Sequence, residues 1–201
     1  MILTKIFFIR LSILGLVSLA PNFSSSTAFA AAQLADFHHL EGRFQQSKLL
    51  RELDLEIKTT GNFQVLRPKG RPSVFYWNIV SPKPSKICID DVGIVINKKN
   101  LKFSEVGAET GDQISGMLKI ITMDSAKIEE SFLVEKKNNQ LFLTPKNLES
   151  SFFNSATLTL NNKNLVDDVL LIEKSKDQIH IHFSDLKVNI KKIAQVEQCP
   201  R

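Results

Sequence analysis

His180 and His182 stand two residues apart in Gln178–Phe183, a stretch that alternates polar and apolar residues. Both imidazoles therefore leave the same face of a strand. Such a pair can seat a metal ion, but no cysteine or acidic residue completes a recognisable ligand pattern. Alternation with Ile179, Ile181 and Phe183 makes the two histidines polar side chains of a wet sheet face. His38 and His39 are adjacent and diverge. The acidic pairs Asp90-Asp91, Glu129-Glu130 and Asp167-Asp168 each point to opposite faces of a strand, so none forms a general acid–base pair. Neither Gly-x-Ser-x-Gly, a phosphate-binding loop nor His-Glu-x-x-His occurs. The expectation is a protein that is not an enzyme, with no catalytic residue, cofactor or metal.

The chemistry the chain does offer is apolar. Between Gly61 and Pro82, two Arg-Pro pairs (Arg67-Pro68 and Arg71-Pro72) lead into a strand holding the only Trp and the only Tyr. Phe75, Trp77 and Ile79 alternate at period two and share one face. The chain has fourteen Phe against one Trp and one Tyr. A sheet with one apolar face and a single covering helix leaves room for a cavity. An empty apolar hollow costs about 24 cal/mol per Å³, so it implies a ligand or a lid that collapses into it.

The elements that must position these residues read mainly as strands. Gln33–Leu40 is expected to be a short helix with Leu34, Phe37 and Leu40 on one side. Phe44 then starts a strand, and Leu53–Thr59 alternates apolar and polar residues. Gly61 marks a bulge or bend. Val74–Val80 and Ser85–Asp90 are strands, and Val92–Asn97 with Asn100–Glu105 reads as a hairpin around Lys98-Lys99. Ala108–Asp124 breaks the pattern: Ile114, Met117, Leu118 and Ile121 fall at helical spacing, which fits a core helix or a lid. Ile128–Lys136, Gln140–Thr144, Ser151–Leu160, Leu165–Glu173, Gln178–Phe183 and Leu186–Ile190 are the remaining strands. About ten residues per strand suits an antiparallel meander closing toward a barrel. The lack of strand–helix alternation argues against a parallel sheet.

Lys5 and Arg10, the apolar run Leu11–Ala20 and Ala28-Phe29-Ala30 read as a signal peptide over residues 1–30. Residues 31–201 then form one exported domain. Without Lys5 and Arg10 the formal charge falls from +5 to +3, too mild and spread for a nucleic-acid partner. Export permits a disulfide. Cys88 and Cys199 either pair, pinning the tail to a strand, or stand as a buried cysteine and a free tail thiol.

The block from Phe44 onward resembles the LolA family of periplasmic lipoprotein carriers. Phe44-Gln45-Gln46 fits its Phe-x-Gln strand, with Gln46 in the family position. Arg71-Pro72-Ser73-Val74-Phe75-Tyr76-Trp77 fits its Arg-Pro-x-x-Phe-x-Trp strand, and Pro82 its following proline. Leu141-Phe142-Leu143-Thr144-Pro145-Lys146 fits its Leu-Thr-Pro-Lys strand. The run Phe44 to Lys48, with Leu53 and Gly61-x-Phe63, looks closer to divergent members associated with export of other lipids.

The resemblance implies an incomplete antiparallel barrel, LolA/LolB-like, with a short N-terminal helix and a helical lid over an apolar cavity. It implies a monomeric periplasmic chaperone that takes acylated lipoproteins or other lipids from an inner-membrane transporter to an outer-membrane receptor. The implied cavity wall is Leu53, Leu55, Ile57, Phe63, Phe75, Trp77, Ile79, Ile87 and Ile89, under a lid bearing Ile114, Met117, Leu118 and Ile121. Arg71 matches the arginine that latches the lid, and Arg67 is a second candidate. The alternative is a non-carrier envelope protein on the same scaffold that binds a protein partner or a glycolipid.

Overall fold

The computed structural model describes residues 34–69, 72–91, 93–101, 120, 125–149, 151, 153–189 and 199. Its strands are β1 (His39–Leu50), β2 (Leu55–Leu66), β3 (Val74–Ser81), β4 (Ser85–Ile89), β5 (Ile94–Ile96) and β6 (Lys99–Leu101). A short helix, α1 (Ser125–Ser131), precedes β7 (Phe132–Lys137), β8 (Gln140–Pro145), β9 (Phe153–Leu160), β10 (Val166–Glu173) and β11 (Gln178–Val188). They form one antiparallel eleven-stranded sheet in the order β6-β5-β4-β3-β2-β1-β11-β10-β9-β8-β7. Two meanders, β1–β6 and β7–β11, are thus joined side by side through β1 and β11. The sheet does not close, because β6 and β7 are its two edges.

Turn chemistry sets the register. Asn97 and Lys98 both have positive φ, as a two-residue hairpin requires, so the β5–β6 turn lies one residue earlier than expected. Asn138 has positive φ between β7 and β8. Asn161 accepts the amides of Lys163 and Leu165 through Oδ1 (2.9 and 3.2 Å) and orders the β9–β10 loop.

Gly61 sits at a register shift between β2 and β3, the bulge the sequence anticipates. Any Cβ there would stand 2.0 Å from the carbonyl oxygen of Asn78 and 2.7 Å from the Phe44 ring. Phe44 is the cross-strand partner of Gly61, so its ring takes the space that a side chain would occupy.

The sheet has one apolar and one polar face. Phe44, Phe63, Val65, Phe75, Trp77, Ile89, Leu141, Leu143, Leu158, Val169, Leu171, Ile179, Ile181 and Phe183 belong to the core on the inner face. On the opposite face Arg43, Gln45, Asn62 and Gln64 are exposed.

Three expected elements differ. Leu34–His38 is not helical, and His39-Leu40 already pair in β1. The apolar spacing is still used, since Leu34, Phe37 and Leu40 are all buried; Ala35 donates its amide to the carbonyl of Asn164 at 3.0 Å, fixing the segment in extended form. Ile128–Ser131 belongs to α1, not to a strand, and β7 begins at Phe132. Finally, β11 runs to Val188 as one strand. It passes a register shift at Glu41/Arg43, where Asp185 has positive φ, instead of breaking before Leu186. Of the expected lid segment, Ile120 alone lies within the described residues; it is helical and 1% exposed.

Candidate functional site

Period-two alternation on β2 to β5 builds the inner face row by row. Phe63, Trp77, Ile87 and Ile96 are successive cross-strand partners, as are Val65, Phe75, Ile89 and Ile94. Trp77 is the hub. Its ring stacks on Phe44 (centroids 3.6 Å apart, planes at 22°), and Phe75 lies 5.4 Å away. Phe63 and Phe183 each lie 6.3 Å from it. Such packed aromatics contribute beyond their buried area. Around them Ile79, Ile87, Ile96 and Leu186 are only partly buried.

The proposed wall therefore divides. Phe63, Phe75, Trp77 and Ile89 are buried, and Ile79 and Ile87 form a half-covered rim. Leu55 and Ile57 share the inner-face alignment of β2 but are 48% and 42% exposed. The reason is geometric: β3 ends at Ser81 opposite Thr60, so residues 55–59 pair with β1 and have no β3 partner. Leu53 does not continue this strand. It closes the 3₁₀ turn Arg51–Leu53, next to Asp54 in the left-handed region, and is 71% exposed.

Arg71 and the lid residues Ile114, Met117, Leu118 and Ile121 lie outside the described residues. Arg67 follows β2. Its amide donates to the carbonyl of His38 at 2.8 Å, and its guanidinium sits 4.0 Å over the Phe37 ring.

Sequence reasoning missed one polar feature of the inner face. Lys48 Nζ lies 2.8 Å from Glu173 Oε2, and Glu173 is largely buried. The two are 125 positions apart, so only the β1–β11–β10 adjacency reveals the pair. On the polar face, half-buried Asp168 bridges the exposed His180 (2.7 Å) and His182 (3.3 Å). That matches two histidines on a wet face. Burial raises the carboxyl of neighbouring Asp167.

Cys88 and Cys199 are disulfide-bonded, which decides between the two open readings. Asp90 supports the link: its Oδ2 accepts the Cys199 amide at 3.3 Å and its Oδ1 the Gly93 amide at 3.2 Å. A groove of about 930 Å³ follows the polar face and is lined in part by Glu41, Gln64, Tyr76, Asn78, Lys86 and Lys187.

A one-layer, unclosed sheet with an aromatic inner face agrees with the comparison to known families. The family model described as outer membrane lipoprotein carrier protein LolA matches residues 35–196. The chain belongs to the LolA family. No curated protein sequence matches it. Among solved structures, this LolA-family chain is similar to MucB in the Pseudomonas aeruginosa MucA/MucB complex, with 10% identity and a TM-score of 0.47, over 76% of this chain and 52% of that one. It thus spans about half the length of that neighbour. A LolA superfamily protein from Nitrosomonas europaea matches over 80% of this chain and 90% of its own, at 11% identity and a TM-score of 0.42. An outer membrane lipoprotein-sorting protein domain from Vibrio parahaemolyticus matches over 80% and 89%, at 9% identity and a TM-score of 0.44.

Proposed function

We propose that this protein is a non-enzymatic periplasmic carrier that holds acyl chains of lipoproteins, or of another lipid, against its inner face and moves them from the inner toward the outer membrane. The observation that carries this reading is the half-covered aliphatic rim, Ile79, Ile87 and Ile96, around the Trp77 aromatic cluster on an unclosed sheet. Membership of the LolA family supports it.

Acyl burial is strong and non-directional, about 0.8 kcal/mol per CH₂. A carrier must give its cargo up, so part of that gain has to be offset by competing closure of the same face. Arg67 and Arg71 are the residues proposed to hold such a closed state. Donor and acceptor would be an inner-membrane transporter and an outer-membrane receptor.

Trp77 is the chain's only tryptophan, so its emission reports the site without labelling. Native mass spectrometry of protein taken from the periplasm should show bound acyl species. Titration with a triacylated lipopeptide should shift Trp77 emission, and Arg67→Leu or Arg71→Leu should change the affinity. A ligand-free mass together with unchanged Trp77 emission at saturating lipopeptide would sink the reading.

A further inference from the structure

Beside its aromatic cluster the inner face carries a polar station. Phe183, Phe44 and Gly61 form one cross-strand row, and Gly61 pairs on with Ile79 of the rim. The next row on the same face is Ile181, Gln46 and Thr59, and the one after it Ile179, Lys48 and Ile57. Successive rows on one face lie about 7 Å apart, two residues along the strand. The face therefore turns from aromatic to polar one row beyond Phe44, the ring that stacks on Trp77. Gln46, Thr59 and Lys48 are all half-buried. Among the described residues, neither the Gln46 amide nor the Thr59 hydroxyl makes a side-chain hydrogen bond. Each group has a donor and an acceptor to offer a ligand.

Lys48 is already engaged. Its Nζ lies 3.0 Å from Oε1 and 2.8 Å from Oε2 of Glu173. Lys48 is the cross-strand partner of Ile57 and Ile179, and Glu173 of Phe153, so the pair sits among apolar neighbours. Charges placed in this way contribute little stability over an apolar pair. What they do supply is a fixed pattern: the two charges cancel, and the ammonium is committed to the carboxylate. A ligand at this row meets no free cation.

An acyl chain lying on the rim at Ile79 brings its ester or amide carbonyl one row on, to Gln46 and Thr59, which can both donate to it. Whatever follows the carbonyl falls on the Lys48–Glu173 row. A phosphate there would give up hydration for a site of no net charge and stand beside a carboxylate. We propose that Gln46, Thr59 and the Lys48–Glu173 pair form a subsite that takes the uncharged ester or amide linkage of an acyl ligand and rejects a lipid whose headgroup is anionic. The inference rests on the carrier reading and names the chemical class of its ligand.

The test uses the full chain, freed of lipid, and three probes short enough to stay monomeric. These are an alkane, a diacylglycerol, and a phosphatidylglycerol with the same acyl chains as the diacylglycerol. Emission of Trp77, the only tryptophan, reads binding. The diacylglycerol should bind at least about ten-fold more tightly than the phosphatidylglycerol, a difference of affinities set by the subsite. Glu173→Gln removes the carboxylate charge and leaves that of Lys48. Phosphatidylglycerol should then gain at least about ten-fold, and diacylglycerol should not. Gln46→Leu should weaken diacylglycerol binding about two- to ten-fold, the worth of one hydrogen bond, and leave alkane binding unchanged. Equal affinities for the two lipids in the unaltered protein, or an unmoved preference in a folded Glu173→Gln protein, overturns the proposal. Should Glu173→Gln not fold, Gln46→Leu decides: a loss confined to the lipids sustains the subsite, and no loss, or an equal loss for the alkane, overturns it. Alkane binding without discrimination between the lipids counts against the subsite alone. No response to any of the three probes counts against the carrier reading itself, and the subsite falls with it.

Discussion

The two meanders share one sheet and one inner face, yet they fill it differently. In β7–β11 the two central inner rows are aliphatic: Ile181, Val169, Leu158 and Leu141 are consecutive partners, and so are Ile179, Leu171, Ala156 and Leu143, while Phe132 and Phe153 stack at one end and Phe183 packs with Phe63 and Trp77 beside β1. All eight are 0–6% exposed. In β1–β6 the rows hold Phe44, Phe63, Phe75 and Trp77, and their margins are incompletely covered at Ile79, Ile87 and Ile96. The same period-two pattern therefore leaves three isoleucines of β3, β4 and β5 half-covered, against Val134 and Leu186 in β7–β11. On the carrier reading proposed above, the aliphatic rows of β7–β11 supply chiefly stability and the rim of β3–β5 the ligand contact.

Substitutions can break that assignment, and the largest effect is expected in the aliphatic half. Leu158→Ala opens a void at a fully buried site and should cost about 3–4 kcal/mol. Urea unfolding measures this, and lipopeptide affinity of the folded protein should stay unchanged. The counterpart is Ile87→Asn on the open rim. It should lower lipopeptide affinity at least about ten-fold, or about 1.4 kcal/mol, with a smaller change in the unfolding midpoint. If Leu158→Ala weakened binding more than Ile87→Asn, the division of labour would be wrong.

Within β2, Gly61→Ala should cost about 1–3 kcal/mol. A methyl group there meets the Asn78 carbonyl, a backbone atom that cannot move away, and pushes Phe44 off Trp77. A changed Trp77 emission should accompany the lower midpoint. An unaltered spectrum would mean that the Phe44–Trp77 stack does not depend on the glycine.

Much of this architecture is legible in residue order. Alternation marks nearly every strand, and Asn- and Lys-rich pairs mark the turns, because both are local properties. The helix expected at Gln33–Leu40 fails for a tertiary reason: an apolar spacing of three serves an extended segment equally well once Leu40 finds Val65 and Val188 as partners. Leu53 fails because one left-handed residue, Asp54, moves it from strand to turn. The Lys48–Glu173 pair and the Asp90 clamp on Cys199 were hidden because each joins residues more than a hundred positions apart.

Lys48–Glu173 offers a smaller perturbation of the inner face. Lys48→Met strands a largely buried carboxylate, although Lys48 is about one-third exposed and water screens part of the charge. A loss of about 1–2 kcal/mol is expected. Adding Glu173→Leu should restore most of it, since an apolar pair suits an aliphatic wall. No recovery in the double variant would show that the pair positions β10 against β1 in a way an apolar contact cannot replace.

The smallest effects concern two carboxylates, one in β10 and one in the turn after it, that should respond to pH with opposite signs. Asp177 Oδ1 accepts the Arg51 amide at 2.9 Å, and this bond, ahead of weaker contributions from Ser175, Lys48 and Arg51, holds its carboxyl below the ordinary value of 3.8. A depressed folded value stabilises above the ordinary pKa and is lost as pH falls through the folded one. Asp167 is the reverse. Partial burial holds its carboxyl above 3.8, so ionisation costs more in the fold than in the open chain, a penalty that grows as pH rises through the folded value. Asp177→Asn should thus lower the melting temperature slightly at pH 7, and Asp167→Asn should raise it slightly. Both differences should shrink toward pH 3, where the carboxyls are increasingly protonated. Shifts of the same sign at pH 7 would mean that local side-chain packing, not charge, governs these two positions.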